Sequence, residues 1–154
     1  MKKRVVALLL ALLFLVTGII TEEGKVYAEE STQDVEMSEV WMQDALVGYA
    51  ESQTWGVYLA EGVSVINNAG GGKIGCGGIT NAAVKCKVSV NVIVEKKVSG
   101  SWTRLTSWTA TKTSAYAVSS SKTISVGSGY YYRVRCNHAA GSDGSSSYTD
   151  GLWM

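Results

Sequence analysis

The chain of 154 residues has no proline, a single histidine and three cysteines, and only 18% of it is charged. Without proline it lacks the proline-containing sorting pentapeptide that covalent attachment to a Gram-positive wall requires, so any wall association is expected to be non-covalent. Cys76 and Cys86 with the lone His138 do not make the paired short spacings of a zinc site. Asp143 and Asp150 lack the dense oxygen ligands of a calcium loop. The run GGGKIGCGG has glycines and a lysine but neither the spacing nor the following helix of a phosphate cradle, and it reads as turn glycine. G-x-S-x-G, the strained nucleophile turn of many hydrolases, is absent. His138 with Asp143 and nearby serines is the remaining hydrolase-like set, and a serine-rich β domain places some serine near its histidine by chance. His138 is therefore expected at a strand end, hydrogen-bonded to backbone. No cofactor, metal or nucleic-acid partner is expected.

Long apolar runs are also scarce, and the one present is informative. Lys2, Lys3 and Arg4 precede an apolar stretch of 16 residues from Val5 to Ile20, interrupted by Thr17 and Gly18. This is short for a bilayer span of about 20 residues. Val26, Tyr27 and Ala28 supply acceptable −3 to −1 positions, so residues 1–28 read as a cleaved export signal and the mature chain is expected to begin near Glu29. No cysteine closely follows the run and no second run could stop transfer, so no stable membrane insertion is expected after cleavage. The product is expected outside the cell, free or loosely wall-associated.

Charge is segregated. Glu29 to Glu61 holds eight acids and no Lys or Arg, a net −8, whereas Gly62 to Met154 holds ten basic residues and three acids, a net +7. Such a basic body can adsorb to anionic envelope polymers, or be complemented by its own acidic leader. Residues 29–53 read as an acidic linker with room for a short helix, since Met37 with Trp41, and Met42 with Leu46 and Tyr49, make one weak apolar stripe without caps.

Residues 54–154 change texture to short runs of Val, Thr, Ser, Tyr and Trp broken by glycine, which predicts an all-β domain of about seven strands in an antiparallel sandwich. The expected strands are 62–68, 73–80, 86–96, 102–109, 122–126, 130–138 and 146–153. In Cys86 to Lys96, Val88, Val90, Val92 and Val94 alternate with polar or outward residues at period two, so the valine face must be core. Val98 to Ser101 reads as the turn between 86–96 and 102–109.

The segment GYYYRVRCNHAA from Gly129 to Ala140, preceded by SKTISVGSG, resembles the penultimate strand of fibronectin type III and other immunoglobulin-like domains. That resemblance implies an immunoglobulin-like sandwich and a tyrosine corner in which Tyr130 or Tyr132 bonds back across the bend. It also implies that strands 86–96 and 130–138 are antiparallel neighbours, bringing Cys86 near Cys136. By analogy with antibody domains Cys76 is the other candidate partner, beside the alternative of three buried thiols. At whole-chain level the order GVYLAEG, SVINNAGGGKI, KCKVSVNVIVEKK, SGSW, TSWTATKT and GYYYRVRC is similar to an uncharacterised family of small exported proteins from Gram-positive, Clostridia-like bacteria, from about Asp44 onward.

Aromatic residues supply the functional lead. By parity Trp102, Arg104, Thr106 and Trp108 share one strand face, and Tyr131, Arg133 and Arg135 share the outward face of theirs. Flat aromatic rings stack on sugars and arginine forks hold carboxylates or phosphates, so Tyr131, Arg133, Arg135, Trp102, Arg104 and Trp108 are the candidate ligand-binding residues for an anionic envelope glycopolymer or glycan. At least one of the two tryptophans is expected in the core. Arg133 and Arg135 would repel each other unless an anion or water solvates them, and replacing both by Ser is expected to leave stability nearly unchanged. The sequence thus reads as a secreted, non-catalytic binding or structural module. The alternatives are a bacteriocin-like effector, which would kill related cells, and a secreted hydrolase.

Overall fold

A computed structural model describes residues 44–50 and 56–154, which contain seven strands and no helix. The strands are β1 (Leu46–Tyr49), β2 (Leu59–Gly70), β3 (Lys73–Val98), β4 (Ser101–Ser125), β5 (Tyr131–Ala140), β6 (Asp143–Tyr148) and β7 (Leu152–Trp153). All pairings are antiparallel, in the order β1-β2-β3-β5-β6, with β4 on β3 and β7 on β5. The all-β architecture and strand number are as expected. The expected signal segment and most of the expected linker lie outside the described residues, but Leu46–Tyr49, within that linker, is strand β1, paired from Leu46↔Ile66 to Tyr49↔Val63.

Four of the expected strands fuse into two. Segments 73–80 and 86–96 are one strand, β3, and segments 102–109 and 122–126 belong mostly to its partner β4. The first half of β3, to Ala82, pairs with β2 and with the second half of β4; from Cys86 onward it pairs with the first half of β4 and from Val88 with β5. Between the halves the register shifts on both sides of Cys86, and Ser114 opposite takes a positive φ of 53°. Bulges of this kind bend a strand pair, and they let strands pass from one layer of a sandwich to the other. The gap between the expected strands 73–80 and 86–96 coincides with this irregularity.

The bend lays β2 across β5 and β6. Ile66, Ile74, Cys76 and Val118 from one layer meet Val88, Val90, Val92, Val94, Tyr132, Val134, Cys136 and Ala140 from the other. The four valines are fully buried and their strand pairs with β5, both as expected. Close approach of the layers requires small residues opposite large ones. A Cβ at Gly78 would strike Cys136 Sγ, and one at Gly62 would strike the His138 ring.

The turn at Ser99 and Gly100 joins Val98 to Ser101, both central residues having positive φ (49° and 85°), as a two-residue hairpin loop requires. The final expected strand is divided because Thr149 leaves the ladder. Its hydroxyl accepts from Val134 N at 3.1 Å while its own N–H donates to Val134 O at 2.9 Å.

The Cys86–Cys136 approach that the resemblance implies is not present, while the alternative of buried thiols holds for Cys76 and Cys136. Cys136 faces Val92, whereas Cys86 faces Ala115 six residues earlier on β3, an offset of roughly 20 Å at strand rise. The register, set by Tyr132 opposite Lys96, carries β5 past the expected meeting point. None of the three cysteines is bridged, and Cys86 is only half-buried. Burial pushes the Cys76 and Cys136 thiols up to about 12, so neither presents a thiolate at neutral pH.

Tyr132 forms the corner that the sequence suggested. It is buried and its Oη donates to Gly127 O at 2.8 Å, while Tyr130 lies exposed with Lys96 Nζ 3.3 Å above its ring. Tyr132→Phe is expected to lower stability by about 1 kcal/mol, the typical net value of one hydrogen bond. Thermal melting would detect this as a drop of about 4 °C or more; an unchanged melting temperature would show that the corner bond contributes nothing.

Candidate binding face

The face of β4, β3, β5 and β6 turned away from the core is built in rows, because directly opposed residues of antiparallel strands project to one side. One end holds the cross-strand pairs Trp102–Lys97 and Tyr131–Trp153; the row beside it holds Arg104, Glu95 and Arg133. Then follow Ser107, Ile93, Arg135 and Tyr148, and finally Thr109, Asn91, Asn137 and Ser146.

Glu95 is the centre. It is only 6% exposed, and it stands between Arg104 and Arg133 as their direct cross-strand partner. Arg133 Nε donates to Glu95 Oε2 at 2.6 Å, and Arg135 Nε lies 3.5 Å from Oε1. The anion that the arginine pair needs is therefore supplied by the protein itself. Sequence parity missed it, although Glu95 is the only acid between Gly62 and Ser142 and sits at an outward position of the valine strand.

Arg133 is held from both sides. Its Cζ is 4.5 Å from the centre of the Trp102 ring on the β4 side and 5.6 Å from that of Tyr148 on the β6 side. Lys97 Nζ adds a second cation 5.6 Å from the Trp102 ring. Tyr131 meets Trp153 edge-on, with centroids 4.8 Å apart and planes at 61°. Gly151 runs against both Trp102 and Tyr131, where a Cβ would come within 3.2 Å and 3.3 Å of them. The face is a cationic, aromatic surface with one internal countercharge.

Trp108 is not part of it. A bulge at Leu105 shifts the register so that Arg104 faces Glu95 but Thr106 faces Val94 and Trp108 faces Val92. The four residues expected on one face are thereby split, since one extra residue reverses the alternation. Trp108 packs half-buried against the core, donating from Nε1 to Ser120 Oγ at 3.0 Å. Trp102, Arg104, Tyr131, Arg133 and Arg135 share the outer face, and Tyr148, Glu95 and Lys97 join them.

His138 points inward, at the parity of Val134 and Cys136, and is 2% exposed. It bonds side chains rather than the backbone: Nδ1 lies 2.8 Å from Thr80 Oγ1 and Nε2 2.8 Å from Ser147 Oγ. Thr80 spends its proton on Ser89 O at 3.0 Å, so Nδ1–H donates to Thr80 and Nε2 accepts from Ser147. Burial lowers the imidazole to about 4, which keeps it neutral and weakly basic. Asp143 is elsewhere, its Oδ2 accepting from the amides of Tyr58 at 2.6 Å and Leu59 at 3.0 Å, bonds that hold its carboxyl below the usual range. The serine, histidine and aspartate are thus not assembled as a triad.

Among the described residues no helix is long and apolar enough to cross a membrane, and no group of three or more His, Cys, Asp or Glu is placed to hold a metal ion. The model of a family of unknown function, DUF6147, matches residues 18–152. No curated protein matches the chain. The solution structure of CsgH from R. palustris overlaps 68% of this chain and 92% of its own, at 18% identity and a TM-score of 0.38.

Proposed function

Since the chain belongs to DUF6147, a family of unknown function, we propose from its own residues that it is an exported, non-catalytic module of the bacterial envelope whose outer face holds an anionic glycopolymer. One observation carries this reading: the Arg133 guanidinium is held between the Trp102 and Tyr148 rings by cation–π contacts and by its Nε bond to Glu95. An arginine so held loses little freedom when it meets a phosphate or carboxylate, and the aromatic rings beside it offer apolar surfaces to sugar rings. Exposed Arg104 and Lys97 extend the positive field, which supports attraction of a polymer of repeating negative charge. Export rests on the N-terminal sequence, Lys2 to Arg4 followed by the apolar run to Ile20. A non-catalytic role is supported by the buried, weakly basic His138, both of whose ring nitrogens are engaged by Thr80 and Ser147.

The test is retention of the secreted chain on isolated cell walls and on purified teichoic acid. Trp102→Ala removes one cation–π partner of Arg133 while leaving the Glu95 ion pair in place, and is expected to weaken retention about tenfold. Arg104→Gln with Lys97→Gln should weaken it further at low salt and little at high salt, because screening already removes their contribution there. Unchanged retention in both variants would overturn the assignment of this face.

A further inference from the structure

A groove of about 630 Å³ opens beside the cationic face, lined by Tyr49, Asn137, His138, Gly144, Ser145, Ser146 and Tyr148. Its size falls within the range of small-molecule sites, roughly 300–1,000 Å³. It exists because β1 abuts β6: Gly48 lies against the backbone carbonyl of Tyr148, where a Cβ would clash. Tyr49 and Tyr148 both line the groove, and they remain 64% and 57% exposed. No charged side chain lines the groove, in contrast to the adjoining rows of Arg133 and Arg135.

The floor has a fixed hydrogen-bonding sense. Asn91 Nδ2 donates to Trp108 O at 3.1 Å and Thr109 Oγ1 at 2.9 Å, leaving Asn91 Oδ1 to accept from Asn137 Nδ2 at 3.4 Å. The Asn137 amide is thereby oriented, with its carbonyl oxygen available as an acceptor. Ser146, its cross-strand partner, sets a hydroxyl next to it. Aromatic walls over a floor of amide and hydroxyl, without charge, match a ring that has apolar C–H faces and a rim of hydroxyls.

We propose that this groove is a subsite for an uncharged sugar ring, with Tyr49 and Tyr148 stacking on the ring and Asn137 and Ser146 bonding its hydroxyls. The proposal rests on the glycan reading of the neighbouring face and deepens it. Tyr148, which contacts both the groove and Arg133, makes the two surfaces continuous, so a charged unit and a neutral ring of one polymer could be held side by side.

The test is an NMR titration of the isotope-labelled secreted chain with uncharged oligosaccharides of glucose, galactose and N-acetylglucosamine at high salt, where charge-driven adsorption is suppressed. The expected result is saturable shifts of the Asn137, Ser146 and Tyr148 amides with at least one sugar. Tyr49→Ala, which removes an exposed wall contributed by β1, should weaken that binding about tenfold. No saturable shift with any of the three sugars, while teichoic acid retention persists, would overturn the groove and leave the charged face standing. Sugar binding unaffected by Tyr49→Ala would also overturn it. Loss of the charged-face assignment is read separately, from Trp102→Ala on teichoic acid.

Discussion

Replacing Arg133 and Arg135 together by serine is expected to destabilise the protein by about 2–3 kcal/mol, not to leave it unchanged as surface position alone implied. The reason is Glu95, whose carboxylate is buried while its two arginine partners are 22% and 44% exposed in their side chains. Removing one side of a fully buried pair typically costs about 3–5 kcal/mol; the partial exposure of these arginines and the persistence of Arg104 opposite Glu95 reduce the loss. Adding Glu95→Gln to the double variant removes the uncompensated charge and should restore at least half of the lost stability. Urea unfolding at neutral pH measures both. A double variant within about 0.5 kcal/mol of the parent would mean that Glu95 is adequately solvated, and that the arginines are an ordinary surface pair.

The second large effect is acid sensitivity between about pH 6.5 and 4. His138 is held neutral in the fold with its pKa lowered from 6.5 to about 4 by burial. In that window the unfolded chain binds the proton and the folded chain does not, so stability falls as pH falls. The loss accumulates at up to about 1.4 kcal/mol per pH unit, about 3 kcal/mol in all, and levels off below the folded pKa. Asp143, whose carboxyl is also lowered, withdraws stability only below its unfolded value of 3.8, so measurements above about pH 4.5 separate the two. Denaturant unfolding across this range should show the slope in the parent and its disappearance in His138→Gln. A slope that survives the substitution would assign the acid sensitivity to other groups.

The protected edge of the molecule follows the same logic of local chemistry meeting tertiary placement. β4 pairs only with β3 among the described strands, leaving a long edge. That edge is interrupted by the Leu105 bulge and by the positive φ of Ser114, and it carries Arg104, Lys112 and Lys122. Bulges and cations are the usual means of discouraging edge-to-edge association.

What was legible in the amino-acid order was whatever depends on neighbours two to five residues apart. Alternation at period two located the buried valines of β3 and the outward Tyr131, Arg133 and Arg135 of β5, and glycine placement marked the hairpin at Ser99 and Gly100. The corner bond from Tyr132 spans only five residues. The same parity applied to His138 would have placed it in the core, because it continues the series of Val134 and Cys136. What only the tertiary structure decided were the contacts between distant segments and the points where alternation breaks. Arg133 and Glu95 are 38 residues apart, and Thr80 and His138 are 58 apart. One bulged residue, Leu105, sent Trp102 to the surface and Trp108 toward the core, since a single insertion reverses every side chain beyond it. Bending β3 and β4 through both layers laid one half of the fold on the other and set β1 against β6. Only that non-local meeting brings Tyr49 and Tyr148 to one groove, because side-chain pattern records which face is apolar, whereas layer packing determines which faces meet.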